Sequence, residues 1–162
     1  MKKLVLVSLV LLLLNSCNQT DHFNKSDKEK IIKDIVKMFD NYHDDIKKDG
    51  LTAEFNYLDH SDDFFWVPPG YKSAISYDSV KTILKINARY QKSIEFSWDT
   101  LQIFPLSHKI ANYSGIVNGI VVDNSGTKSN ITIIESGTVI KRSNGWKILN
   151  GQSAILEPEP YE

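Results

Sequence analysis

The sequence predicts an α+β domain in which helices pack on one face of an antiparallel sheet. Two observations predict this class. Apolar residues recur at helical spacing in the first part of the chain, whereas residues 94–156 are rich in β-branched and aromatic residues separated by turn signals. Helices followed by a run of antiparallel strands are typical of α+β proteins. The chain has 162 residues, enough for one domain with a sizeable core.

The first element is a long amphipathic helix, predicted over residues 26–49. Ser26 and Glu29 have the spacing of a capping box, in which each side chain satisfies a backbone N–H at the helix start. Gly50 is expected to end the helix. His43 and Asp44 are expected on its polar face. The apolar stripe on the opposite face consists of Ile31, Ile32, Ile35, Val36, Phe39, Tyr42 and Ile46.

Shorter elements follow this helix. A second helix is predicted over residues 51–58 and a third over residues 77–92, with a short aromatic strand between them at residues 64–67. Pro68 and Pro69 are expected to stop that strand, because proline cannot donate to a β-ladder. Turn sequences join the last three of the four longer strands as hairpins. These four strands are predicted over residues 94–106, 109–122, 130–141 and 146–156.

Composition excludes several classes of function. The formal net charge of −1 gives no sign of the basic face that a nucleic-acid partner requires. Cys17 is the only cysteine, so we expect no disulfide in the folded domain. The four histidines lack the paired spacing of metal ligands, and no glycine-rich phosphate loop is present. We therefore expect neither a metal ion nor a cofactor.

The N-terminus has the three parts of a secretory signal. Lys2 and Lys3 precede an apolar run over residues 4–14 that is too short to span a bilayer. The run leads to Leu-Asn-Ser-Cys, which resembles the lipobox of bacterial lipoproteins. The sequence therefore predicts that residues 1–16 are removed and that Cys17 is lipidated.

This N-terminus predicts both the organisation and the location of the mature protein. Residues 17–25 are polar and aperiodic, so they are expected to be a flexible tether between the lipid and a domain at residues 26–157. Residues 158–162 are expected to be a short tail. The predicted location is the cell envelope, extracytoplasmic and anchored through membrane lipid on Cys17. Asn18 stands where an inner-membrane retention signal would have Asp, which favours the outer membrane.

Three segments of the domain fit one family pattern. They are residues 62–70 (DDFFWVPPG), residues 111–115 (ANYSG), and residues 137–139 with 144–148 (GTV and NGWKI). In order and spacing they resemble the SnoaL-like branch of the nuclear-transport-factor-2-like (NTF2-like) superfamily, over residues 26–156. The resemblance implies a cone, in which a strongly curved antiparallel sheet wraps around the first helix and encloses a pocket. It also implies a homodimer formed through the sheet.

The resemblance leaves the activity open, because the superfamily contains isomerases, cyclases, hydrolases, binding proteins and assembly domains. Many relatives carry pocket-facing histidines on the last strand, where this sequence has Asn150 and Gln152. An amide cannot exchange a proton near neutral pH as imidazole can, which disfavours acid–base chemistry from this strand. The alternative base is Asp62 or Asp63, with His60 nearby, if an apolar pocket raises the carboxyl pKa.

Other interpretations of these acidic residues remain open. Asp59, Asp62 and Asp63 together are also typical of a solvated turn. Asp99 follows Trp98 in a strand and is expected on the opposite face from that ring.

Aromatic residues give the stronger indication of a site. An apolar pocket with a few hydrogen-bonding groups is the usual composition of a ligand site, although such rings also pack protein cores. The expected pocket residues are Tyr42, Phe64, Trp66, Tyr71, Trp98, Tyr113, Asn150 and Gln152. The sequence thus favours a lipid-anchored, non-catalytic domain that binds a small apolar or amphipathic molecule or a protein partner.

Two alternatives to this function remain. One is a SnoaL-like isomerase, cyclase or hydrolase that uses Asp62 or Asp63 as its general base. The other is a dimeric interaction module whose core is filled by its own side chains.

Overall fold

The computed structural model describes residues 23–156. The predicted signal peptide, Cys17 and the predicted tail lie outside the described residues. No helix within residues 23–156 is long and apolar enough to span a membrane. The elements are α1 (Lys25–Asp49), a 3-10 helix η1 (Leu51–Asn56), β1 (Phe65–Val67), α2 (Tyr77–Ala88), β2 (Gln91–Pro105), β3 (Ile110–Asp123), β4 (Lys128–Arg142) and β5 (Gly145–Ile155).

Helix α1 begins one residue before its predicted start and uses a different cap. Asn24 is the N-cap: its side chain accepts a hydrogen bond from the backbone N–H of Asp27 at 3.0 Å, and the Asp27 carboxylate accepts from the N–H of Asn24 at 3.2 Å. The predicted capping box of Ser26 is therefore wrong by two residues. Phe23 explains the shift, because it packs on the core and so fixes where the chain enters the helix.

The five strands form one sheet in the order β1-β5-β4-β3-β2. The neighbouring strands are antiparallel, except that β1 pairs parallel to β5. The sheet is therefore mixed, whereas the sequence predicted a wholly antiparallel one. The two edge strands β1 and β2 do not pair with each other, so the sheet curves without closing.

Three β-bulges interrupt the regular pairing. Two lie in β2, at Lys92 and at Asp99, and the third lies at Leu149 of β5. A bulge bends its strand and increases the local twist, so all three contribute to the curvature of the sheet. The bulge in β5 also changes which side chains face inward. Ile148 before it and Ser153 after it both reach the inner face, although residues five positions apart in a regular strand would lie on opposite faces.

The inner face of the sheet packs against α1. Phe39 is fully buried near the middle of the helix, and its ring centroid lies 5.2 Å from that of Trp98 on β2 and 4.7 Å from that of Tyr113 on β3. Ile35 and Ile46 are fully buried on the same side of α1. The apolar stripe predicted from helical spacing is thus the surface that the sheet surrounds.

Glycines on the inner face make room for the large rings. A Cβ atom at Gly119 would lie 2.9 Å from the Phe96 ring, and one at Gly151 would lie 2.5 Å from the Trp66 ring. At Gly115 a Cβ would meet the backbone carbonyl of Thr100 as well as the Trp98 ring. None of the three glycines has a positive φ. Lack of room for a side chain, and not backbone conformation, therefore explains glycine at these positions.

We expect Gly115→Ala to destabilise the domain. The added methyl group collides with backbone that cannot move independently, and such overpacking typically costs about 1–3 kcal/mol. Ser114→Ala, on the outer face of the same strand, is the matched control and should change the free energy of unfolding by less than about 0.5 kcal/mol. Urea unfolding of both variants measures the difference. Equal stability of the two variants would show that the Trp98 ring and the Thr100 carbonyl can accommodate a methyl group at position 115.

Candidate functional site

The sheet and helices enclose a cavity of about 250 Å³. Most of its wall is apolar, and it receives side chains from every helix and from all five strands. Its aromatic side chains are Tyr42, Phe64, Trp66 and Phe96. A volume of this order is slightly below the usual range of small-molecule sites. The alternative of a core filled by its own side chains does not describe this interior.

Two glutamates are the only carboxylates that line this cavity within residues 23–156. Glu54 lies on η1, which turns the chain back against α1 directly after Gly50. Glu135 lies on β4, where it pairs with Gly115 of β3 and with Ser153 of β5. Because these two partners are small, space remains around the Glu135 carboxyl on the inner face.

Each glutamate accepts a hydrogen bond from a tyrosine. The Tyr113 hydroxyl donates to Oε1 of Glu135 at 2.7 Å. The Tyr42 hydroxyl donates to the side chain of Glu54. We call Tyr42, Glu54, Tyr113 and Glu135 the carboxyl–tyrosine cluster. It joins α1, η1, β3 and β4 at one wall of the cavity.

Burial controls the protonation of this cluster. Burial raises the pKa of Glu54 to about 8, and repulsion from Glu135 contributes in the same direction. Burial also raises the pKa of Glu135 to about 7, although the hydrogen bond from Tyr113 opposes the increase. The pKa values of both tyrosines are raised well above their usual value, so their hydroxyls remain donors. The two carboxyls therefore still hold a proton between them at neutral pH.

His43 also lines the cavity. It is buried, and its ring lies 5.9 Å from that of Phe96 and 5.5 Å from that of Trp98. Burial lowers the pKa of His43 to about 4, against an opposing effect of Asp44, so the imidazole is neutral at pH 7. The expectation that His43 lies on the polar face of the helix is wrong. The signal was present, because His43 is four residues after Phe39 and three before Ile46.

Of the aromatic residues predicted to line the pocket, some line the cavity and others do not. Tyr42, Phe64 and Trp66 line the cavity. Tyr113 is buried in the core and contributes to the site through its hydrogen bond to Glu135. Trp98 packs between His43 and the core without lining the cavity, and Tyr71 is 46% exposed outside it.

Asn150 and Gln152 lie on the other face of the sheet. They line a broad, open hollow of about 520 Å³ on the outer face, together with Phe65 and Phe104. Simple alternation from the inward Ile148 would place both amides in the cavity. The bulge at Leu149 reverses that alternation, so the prediction that both amides line the pocket is wrong.

His60, Asp62 and Asp63 are exposed and do not line the cavity. The backbone N–H of Phe64 donates to the carbonyl of Ser61 at 3.1 Å, which closes a tight turn. This turn directs Phe64 inward and leaves both aspartates in solvent. A base acting inside the cavity would therefore be Glu54 or Glu135.

Asp59 differs from the other acidic residues of this segment, since it is buried and forms a paired interaction with Arg142. Its Oδ1 and Oδ2 atoms accept from Nε at 2.7 Å and from Nη2 at 2.8 Å. The hydrogen bonds from Arg142 lower the pKa of Asp59. This ion pair connects the segment before β1 to the end of β4 and has a structural role.

Sequence reasoning missed Glu54 and Glu135. Glu54 resembles any solvated residue of a short helix, and no pattern in the sequence marks it. Glu135 did carry a signal, because it is in phase with Ile131 and Ile133 on a strand. A carboxylate at the third inward position of such a strand indicates a polar site in an otherwise apolar interior.

Solved structures share this architecture. An NTF2-like superfamily protein from Salmonella enterica serovar Typhimurium matches with a TM-score of 0.69 and 14% identity, over 82% of this chain and 96% of that one. The chain has the NTF2-like fold. This confirms the resemblance seen in the sequence at the level of fold. The sequence itself matches no family model and no curated protein.

Two other structures with this fold bear the names of enzymes. A scytalone-dehydratase-like protein from Novosphingobium aromaticivorans has a TM-score of 0.69 and 13% identity, over 86% of this chain and 93% of that one. A hexachlorocyclohexane dehydrochlorinase, LinA type 2, has a TM-score of 0.65 and 13% identity, over 83% and 90%. At these identities the likeness shows the fold alone.

We expect Glu135→Gln to alter stability in a pH-dependent way. The unfolded-state pKa of a glutamate is about 4.5, and in the folded protein Glu135 titrates at about 7. The folded state therefore holds the proton more tightly, and this contribution to stability is complete below about pH 4.5 and is lost as pH rises through 7. The variant should be more stable than the wild type at pH 9, by about 1–3 kcal/mol, and not at pH 5.

Urea unfolding at pH 5, 7 and 9 measures this difference. Glu29→Gln on the exposed face of α1 is the matched control and should show no gain at high pH. The lowered pKa of His43 makes both proteins less stable as the pH falls from about 6.5 to 4, which is the opposite trend. The comparison at each pH is therefore the free energy of unfolding of the variant minus that of the wild type. A difference that does not change with pH would contradict the raised pKa of Glu135.

Proposed function

We propose that the domain binds a small, largely apolar molecule in the cavity. The observation that carries this proposal is a pair of carboxyl groups inside a cavity whose wall is mostly apolar and aromatic. Protein interiors that serve only packing are filled to the density of organic crystals and exclude such groups, because burying them costs stability. A cavity with apolar walls and a few convergent polar groups is the usual composition of a ligand site.

Thermal unfolding of the full-length protein in detergent tests this proposal against a library of apolar, amphipathic and charged small molecules. A ligand at about 100 times its dissociation constant adds about 2.7 kcal/mol to stability, which raises the melting temperature by several degrees. Leu84→Trp, which places an indole in the cavity from α2, should abolish the shift. The exposed neighbour Lys85→Trp should preserve it.

The outcomes of this test are distinct. A ligand that stabilises Leu84→Trp as much as the wild type binds elsewhere on the protein. If no compound from the three classes shifts the wild type, the proposed binding function is wrong.

The carboxyl–tyrosine cluster supports a second candidate function, acid–base catalysis. A group whose pKa lies near the working pH is suited to both donating and accepting a proton, and Glu54 and Glu135 have this property. An isomerase, cyclase or hydrolase of this kind would use Glu54 or Glu135 as its general base, instead of the predicted Asp62 or Asp63.

Turnover of the compounds found by thermal unfolding tests catalysis. Mass spectrometry would follow their conversion by the wild type, by Glu54→Gln and by Glu135→Gln. Loss of a general base typically costs about 10²–10⁴ in rate, so at least one variant should fall by that factor. The control Asp62→Asn/Asp63→Asn should keep full activity. Unchanged turnover in both glutamate variants would contradict catalysis by this cluster.

We also propose that Cys17 anchors the protein in the cell envelope. The support is the signal-like N-terminus followed by Leu-Asn-Ser-Cys. Two acyl chains hold a protein stably on a membrane, whereas one holds it only marginally.

Expression of the full chain in a bacterial host with a labelled fatty acid tests the anchor. The wild type should incorporate label and sediment with membranes. Cys17→Ser should lose both properties, and Ser16→Ala should keep them because a small residue remains before the cysteine. Labelled Cys17→Ser protein would show that the lipid, if present, is attached elsewhere.

A further inference from the structure

We infer that the ligand of the cavity is a monocation, an ammonium group on an apolar body, whose charge is held between Glu54 and Glu135. This inference rests on the proposed binding function and specifies the class of ligand. It follows from three properties of the cavity wall: its hydrogen-bonding groups, its charge and its aromatic rings.

The unused hydrogen-bonding capacity of the cavity consists of acceptors. Each carboxyl group accepts from one tyrosine and retains further acceptor positions. Gln91 also lines the cavity, and its Oε1 atom is buried without a hydrogen-bond partner among the described residues. A buried acceptor left unpaired costs free energy. A ligand that brings N–H donors would satisfy these oxygens, whereas a ligand that brings only acceptors would not.

The charge of the cavity is unbalanced. No lysine or arginine lines it within residues 23–156, and burial keeps His43 neutral at pH 7. When the two carboxyls ionise, a charge from the ligand is the only available compensation inside the cavity. A bare metal ion is not suited to this role, because the described part of the chain has no group of three or more potential metal ligands.

The aromatic walls favour an organic cation. Phe64, Trp66 and Phe96 line the same cavity as the two glutamates. The face of an aromatic ring attracts a cation, most strongly where water is excluded, and ammonium groups are commonly recognised in this way. The same rings provide apolar surface for the body of the ligand.

Binding of such a cation should depend on pH. The empty pair retains a proton at neutral pH, and the cation favours the ionised form, so affinity should rise as pH increases from 6 to 9. The titratable groups that face the pair are Tyr42 and His43 from α1 and Tyr113 from β3. The tyrosines remain protonated and His43 remains neutral throughout this range. The wall residues Asn87, Gln91 and Ser153, from α2, β2 and β5, do not titrate.

Three probes of similar shape test the inference by isothermal titration calorimetry on the full-length protein in non-ionic detergent. They are phenethylammonium, whose ammonium group carries three N–H donors, its neutral isostere propylbenzene, and the anion phenylacetate. At pH 8.5 the cation should bind at least about tenfold tighter than the isostere, as expected for a desolvated charge interaction, and phenylacetate should bind weakest. Between pH 6 and pH 9 the affinity for the cation should rise at least about tenfold.

The variant Glu54→Gln/Glu135→Gln keeps the shape of the cavity and removes its charge. It should lose at least about tenfold in affinity for the cation while it retains the isostere. The control Asp62→Asn/Asp63→Asn removes the same charge outside the cavity and should bind the cation as the wild type does. If the glutamate variant does not fold, the pH dependence of the wild type decides.

The possible failures are distinguishable. Equal affinity for the isostere and the cation, unchanged cation affinity in the folded glutamate variant, or cation affinity that does not rise with pH would overturn the monocation assignment while the cavity remained a binding site. Absence of binding by both the cation and the isostere would overturn this assignment, and with the negative library screen it would overturn the proposed function as well.

Discussion

The structure depends on the contact between the apolar side of α1 and the inner face of the curved sheet. Phe39 is at the centre of this contact, where its ring meets Trp98 from one strand and Tyr113 from the next. Close aromatic pairs of this kind contribute about 0.5–1.5 kcal/mol each beyond the area they bury. The sheet must bend to surround the helix. Its bulges allow the bend, and its inward glycines leave room for the aromatic rings between sheet and helix.

The position of the cavity follows from the same contact. Around Ile35 and Phe39 the helix and sheet are in full contact, and both side chains are completely buried. One turn further along α1, Tyr42 and His43 border open space instead. The glutamates lie in this space, where their burial costs stability unless hydrogen bonds and retained protons compensate. Tyr113 belongs to both regions, because its ring packs on Phe39 and its hydroxyl binds Glu135.

Much of the fold was predictable from the sequence because it is encoded in local patterns. The helical spacing from Ile31 to Ile46 and the turn signals between strands identify most elements and their order. The predictions are wrong where a contact between residues far apart in the sequence determines the local structure. The packing of Phe23 selects Asn24 as the helix cap, and no local pattern distinguishes this cap from Ser26.

The candidate site was less predictable than the fold, for two physical reasons. A bulge is invisible in a strand sequence, so the single extra residue Leu149 sends Asn150 and Gln152 to the outer face. The second reason is that the cavity brings together residues from distant elements. Glu54 becomes part of a site only because η1 folds back over the inner face where Glu135 emerges. Aromatic residues on the predicted helix stripe and on β1 were easier to assign to the pocket, since their apolar character alone favours the interior.

The bulge at Asp99 has an effect beyond curvature. Strand β2 is 15 residues long and has a neighbouring strand on one side only, so its free edge is a potential template for another chain. The irregular backbone at Asp99 interrupts that edge, and the exposed side chains of Lys92 and Glu95 place charges along it. Bulges and charged residues are common means by which soluble proteins prevent edge-to-edge aggregation. The feature that allows the sheet to surround its helix thus also protects the protein from forming intermolecular β-structure.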